Sequence, residues 1–111
     1  MDKNIQIGLL YEFYGNLLTE KQAYVINSYY NDDLSLSEIA DELEITRQGV
    51  RKHLIEAEKL LNNYEEKLGL MNKFLENKNE LKYIYEELNK LKNKYNDENI
   101  NILSARISKL I

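Results

Sequence analysis

The chain has 111 residues, with 15 Lys and Arg against 19 Asp and Glu, a single His, and no Cys, Pro or Trp. That composition excludes a disulfide framework, a thiolate metal site and a cysteine nucleophile, and it leaves one imidazole for any acid/base scheme. We therefore expect no enzyme, no metal and no cofactor, and a cytoplasmic setting without membrane insertion, since neither a signal peptide nor a run of 18 apolar residues is present. The formal charge of −4 argues against a broadly basic nucleic-acid surface.

With no Pro and only four Gly, the chain lacks the strongest local breakers and reads as all-α. Ile5, Leu9, Leu10, Phe13, Leu17 and Leu18 fall near helical spacing and predict a first amphipathic helix that ends between Gly15 and Leu18. Thr19-Glu20-Lys21-Gln22 is a capping-box pattern and starts a second helix carrying Ala23, Ile26, Tyr29 and Tyr30 on one side. Asn31-Asp32-Asp33 is a turn-forming stop.

A second capping box, Ser35-Leu36-Ser37-Glu38, opens a short third helix with Leu36, Ile39, Ala40 and Leu43 on one face. Thr46 is the expected N-cap of a fourth, in which Val50, Leu54, Ala57, Leu61, Tyr64 and Leu68 recur at intervals of three and four. Gly69 suits the left-handed position that ends it. Beyond Leu70, Leu81, Ile84, Leu88, Leu91 and Tyr95 form an a/d seam of about two heptads. Asn96-Asp97 interrupts it, and Ile100, Leu103, Ile107, Leu110 and Ile111 mark a last helix. Two parts follow: a helix-turn-helix domain over 1–69 and a C-terminal helical extension over 70–111, which serves dimerisation or folds back on its own domain.

Residues 36–54 carry the most specific information. A helix-turn-helix needs a small residue where its helices touch (Ala40), apolar residues in the wedge (Ile39, Leu43, Ile45, Val50, Leu54) and a polar cap before the recognition helix (Thr46). The bend has Glu44 where Gly is usual, and a left-handed non-Gly residue costs about 1 kcal/mol. With Val50 and Leu54 turned inward, Arg47, Gln48, Gly49, Arg51 and Lys52 face outward. Arg forks onto guanine or phosphate, Gln pairs with adenine, and Lys neutralises phosphate, while Thr46 and the first-turn N–H groups suit a phosphate. A purely solvated face is the competing reading.

Charge is unevenly distributed. Residues 1–45 hold 2 basic and 9 acidic side chains, a net of −7, whereas 46–111 hold 13 basic and 10 acidic, a net of +3. A basic tip on an acidic body predicts modest, salt-sensitive nucleic-acid binding that a dimer would strengthen. His53 reads as a boundary or phosphate-contacting residue, not a catalytic base. Tyr11, Tyr14, Tyr24, Tyr29 and Tyr30 lie on or beside apolar stripes and are expected mostly in the core. Glu65-Glu66 and Glu86-Glu87 diverge by about 100° per residue, share no site, and are expected in solvent.

Leu18-Thr19-Glu20-Lys21-Gln22, Ser37-Glu38-Ile39-Ala40, Ile45-Thr46-Arg47-Gln48-Gly49-Val50 and Ala57-Glu58-Lys59-Leu60-Leu61 resemble region 4 of sigma factors. With Tyr11-Glu12-Phe13-Tyr14-Gly15 and Tyr29-Tyr30-Asn31-Asp32-Asp33-Leu34-Ser35-Leu36 added, the chain is more similar to the YlxM family of bacterial helix-turn-helix proteins. The likeness covers about the first 70 residues. It implies a sigma-region-4-like helical domain in the cytoplasm and a regulatory role in the signal recognition particle pathway, with DNA or the particle's RNA as ligand and Thr46, Arg47, Gln48, Arg51 and Lys52 facing it. An adaptor whose Asp32, Asp33, Asp41 and Glu42 dock a basic partner, such as a targeting GTPase, is the alternative. The seam and the apolar last helix predict a homodimer.

Overall fold

Asp2 begins the first helix by accepting from the amide of Asn4 at 2.7 Å, and α1 runs over Lys3–Tyr14. The computed structural model describes residues 1–111. Ile7, Leu10 and Tyr14 form the buried line of α1, while Ile5 is 60% exposed and Leu17 lies out in solvent. Leu10 is the one member of the expected stripe that is fully buried. Ile7 and Tyr14, at spacings of 3 and 4 from it, take the places expected for Ile5 and Leu17, with the phenol ring of Tyr14 in an apolar position. Leu9, Phe13 and Leu18 are half-buried beside that line. The helix also ends earlier than expected, at Tyr14, and a single 3-10 turn over Gly15–Leu17 follows.

Thr19 and Gln22 form the capping box reciprocally, at 3.2 Å and 3.0 Å, and α2 spans Glu20–Ile26. It widens into a π turn over Asn27–Asn31. Val25, Ile26 and Ser28 are buried and Tyr24 is exposed; of the expected face, Ile26 is buried and Ala23 and Tyr30 are half-buried, whereas Tyr29 turns out to solvent. Ser35 and Glu38 repeat the reciprocal cap at 3.0 Å and 3.1 Å, starting α3, Leu36–Leu43, with Ile39 and Ala40 buried.

From Arg47 to Leu68 runs α4, the element against which α1, α2 and α3 pack. Its Val50, Leu54, Ala57 and Leu61 are buried on one stripe, and Tyr64 is half-buried. Leu68, expected on that stripe, lies at the helix end and is exposed. Gly69 closes α4 at φ 64° and donates to the Glu65 carbonyl at 2.8 Å, the left-handed stop that glycine makes without steric cost.

Two further helices follow, α5 over Leu70–Lys94 and α6 over Glu98–Ser108, the latter capped by Asp97, which accepts from Asn99 at 2.7 Å. The chain divides into a unit of Met1–Met71 and one of Asn72–Ile111. Within the second, the Ser104 hydroxyl donates to the Asn89 side-chain carbonyl at 2.9 Å. Phe74 and Leu81 border a hollow with Leu110 and Ile111, so α5 and α6 run antiparallel. The half-buried line of α5 is Leu81, Tyr85 and Leu88, whereas Ile84, Leu91 and Tyr95 are exposed. On α6, Ile100, Ser104 and Ile107 turn inward, Leu103 faces out, and Leu110 and Ile111 lie beyond the helix end. The all-α fold carries no strand, and no helix is long and apolar enough to cross a membrane.

Candidate nucleic-acid interface

The bend between α3 and α4 sets the site. Glu44 adopts φ 55° and ψ 40°, the left-handed conformation. Its amide donates to the Asp41 carbonyl at 3.4 Å, and the amide of Ile45 donates to the Ala40 carbonyl at 3.1 Å. That pair of bonds is a Schellman ending, achieved without glycine. Thr46 then returns to extended backbone and its Oγ1 accepts from the Gly49 amide at 3.0 Å. A Cβ on Gly49 would stand 3.3 Å from that oxygen and 3.5 Å from Ile45 Cδ1, so the small residue lets the cap close over Ile45.

Arg47, Gln48, Arg51 and Lys52 are all exposed. The 100° step of the helix sets Gln48 and Lys52 opposite the buried Val50 and Leu54, and Arg47 and Arg51 on the flank of that line, within the first two turns of α4. Neither guanidinium, nor the Lys52 ammonium, has a carboxylate within ion-pair distance. Thr46, also exposed, uses an oxygen lone pair for the cap and keeps its O–H free to donate. The five residues singled out by sequence thus share the N-terminal two turns of α4. Further along the helix Glu58 is engaged by Lys3 at 3.6 Å and by the Tyr30 hydroxyl.

Two residues absent from the sequence-derived set complete the surface. Leu36, the first residue of α3, is half-buried and lines a hollow of about 220 Å³ with Arg47, Gln48 and Arg51. Ile55 is exposed and shares a second, shallower hollow with Gln48, Arg51, Lys52 and Glu56. Helical periodicity alone would have placed Ile55, which is four residues after Arg51. Leu36 was absorbed into the apolar face of α3, and only the meeting of the two helices reveals it.

Three phenols hold this arrangement in place. Tyr24 donates to Glu42, joining α2 to α3; Tyr30 donates to Glu58, joining the π turn to α4; Tyr14 donates to Glu65 at 2.6 Å, joining α1 to α4. Burial, followed by the hydrogen bond to the neighbouring carboxylate, pushes the Tyr14 and Tyr30 hydroxyls above the usual phenol range. For Tyr24 the bond to Glu42 is the larger cause. Of the five tyrosines expected mostly in the core, only Tyr14 is fully buried. Glu65, expected in solvent, is half-buried, and it also accepts from the Met71 amide at 3.0 Å. Glu66 is exposed, and Glu87 pairs with Lys90 at 3.0 Å. His53 is half-buried on α4, and no three His, Asp or Glu side chains converge as metal ligands would.

Comparison with known proteins agrees with this geometry. The model of the UPF0122 family, described as "Putative helix-turn-helix protein, YlxM / p13 like", matches residues 1–103. A UPF0122 protein of Desulforamulus reducens is 55% identical over 69 residues, covering 62% of this chain and 59% of that one, which is less than two thirds of the relative's length. One from Acetivibrio thermocellus is 48% identical over 79 residues, covering 71% and 68%. A third, from Clostridium acetobutylicum, is 42% identical over 98 residues, covering 88% and 84%. The helix-turn-helix of α3 and α4 and the match across most of the sequence place the chain in the UPF0122 family of YlxM/p13-like proteins.

Proposed function

We propose that this protein is a non-enzymatic regulatory or accessory factor that binds nucleic acid through the first two turns of α4. One observation carries the reading: Arg47, Arg51 and Lys52 stand exposed and without ion-pair partners on one face of a Thr46-capped helix, with Gln48 between them. Cations that serve only solubility need not be gathered at the start of a recognition helix, whereas phosphates and base edges require it. The signal recognition particle pathway is the proposed setting, on the resemblance to the YlxM family, with DNA or the particle's RNA as the nucleic acid and the cytoplasm as its place.

We propose further that Asn72–Ile111 makes the protein a homodimer. Two helices offer little core of their own, and Ile84, Leu91 and Leu103 remain exposed along them. A dimer would double the number of cations presented to one duplex, which suits a chain whose net charge is −4.

Low-salt gel shifts with DNA and with the particle RNA test the proposal. Wild type is expected to retain one of them, and Arg47→Ala with Arg51→Ala to lose it. Retention unchanged by the double substitution would overturn the role of α4. A pull-down of a targeting GTPase that survives the Arg changes but fails on charge reversal at Asp32, Asp33 and Asp41, all exposed, would favour the adaptor reading instead.

A further inference from the structure

The geometry points to Leu36 as a thymine-reading residue, which narrows the ligand to duplex DNA with α4 in its major groove. This inference rests on the nucleic-acid reading above. Its starting point is the hollow at the junction of α3 and α4, where one aliphatic side chain stands among Arg47, Gln48 and Arg51. Leu36 is not closed into the core as Ile39 and Ala40 are; it is only half-buried and lines the hollow. Phosphates have no use for such a group in the middle of a cationic face.

A thymine does. Its C5 methyl is the apolar group that base pairs present in the major groove of B-form DNA. Its partner adenine presents N7 and N6 there, the pair that a Gln side chain takes bidentately. Leu36 against the methyl and Gln48 against the adenine would read one A·T pair from both of its bases, while Arg47 and Arg51 hold neighbouring guanines or phosphates. Uracil lacks the methyl, and the major groove of A-form RNA is too narrow for side chains to read. The same hollow therefore discriminates between the two nucleic acids.

The test uses the full chain and a duplex that it selects itself from a random DNA pool, measured by fluorescence anisotropy beside the same duplex carrying deoxyuridine for every thymine. Wild type is expected to bind the thymine duplex about fourfold more tightly for each methyl contacted. In Leu36→Ala that ratio should fall towards one, and in Leu36→Met it should persist. A ratio is unaffected by a partly unfolded sample, because both probes lose the same active fraction. Equal affinity for the two duplexes in wild type, an unchanged ratio in Leu36→Ala, recovery of no preferred sequence, or tighter binding of an RNA hairpin would each overturn the assignment of Leu36 while leaving nucleic-acid binding by α4 intact. Failure to retain any duplex or RNA at low salt would overturn both.

Discussion

The Tyr14 hydroxyl and the Glu65 carboxylate, 51 residues apart, meet at 2.6 Å and together receive the first amides of α5: Leu70 donates to Tyr14 at 3.1 Å and Met71 to Glu65 at 3.0 Å. Two side chains from α1 and α4 thus do for α5 what a local cap does elsewhere. Tyr14→Phe leaves the Leu70 amide and a half-buried carboxylate short of a partner. We expect a loss of about 2 kcal/mol in urea unfolding, the usual cost of orphaning such groups. A loss below about 0.5 kcal/mol would contradict the bridging role.

Alkaline pH should weaken the fold. A phenol whose folded pKa is raised keeps its proton in the native state after the unfolded chain, near 10, has begun to release it. The contribution is therefore complete below pH 10 and is lost as pH rises through the folded value. Tyr30, held up by burial and Glu58, is the strongest case, with Tyr14 and Tyr24 shifted the same way. Unfolding midpoints measured between pH 8 and 11 should fall more steeply for wild type than for Tyr30→Phe. Identical slopes would refute the linkage.

Local chemistry was legible in the sequence and distant chemistry was not. Thr19 with Gln22, Ser35 with Glu38, and Thr46 are caps whose partners lie three residues away, so the pattern contains both ends of each bond. The place of the bend at Glu44 followed from the helix-turn-helix spacing, and the outward Gln48 and Lys52 followed from the buried Val50 and Leu54. By contrast, no local pattern pairs Tyr14 with Glu65 or brings Leu36 beside Arg47. In α1 the close-set Ile5, Ile7, Leu9 and Leu10 allow more than one helical register, and only packing against α4 selects Ile7 and Leu10.

Glu44 sits in a conformation that favours glycine. Glu44→Gly should remove the steric cost and raise stability by up to about 1 kcal/mol, partly offset by the greater freedom of glycine in the unfolded chain. Thermal unfolding of the two proteins checks it; a destabilised variant would show that the carboxylate has a structural partner role.

Light scattering at micromolar concentration should give twice the chain mass. Ile84→Glu combined with Leu91→Glu places charge on the exposed side of α5 and should give the monomer, with helical content retained. A monomeric wild type would remove the case for association through Asn72–Ile111.

The central claim, that α4 meets a polyanion with Arg47, Arg51 and Lys52, is tested most directly by the salt dependence of duplex DNA binding. Three phosphate contacts per protomer, doubled in the dimer on one duplex, predict a slope of log affinity against log salt of about −5.4. Lys52→Ala, which removes one contact from each protomer, should make it shallower by about 1.8. A slope near zero, or one that Lys52→Ala and Arg47→Ala both leave unchanged, would contradict the account.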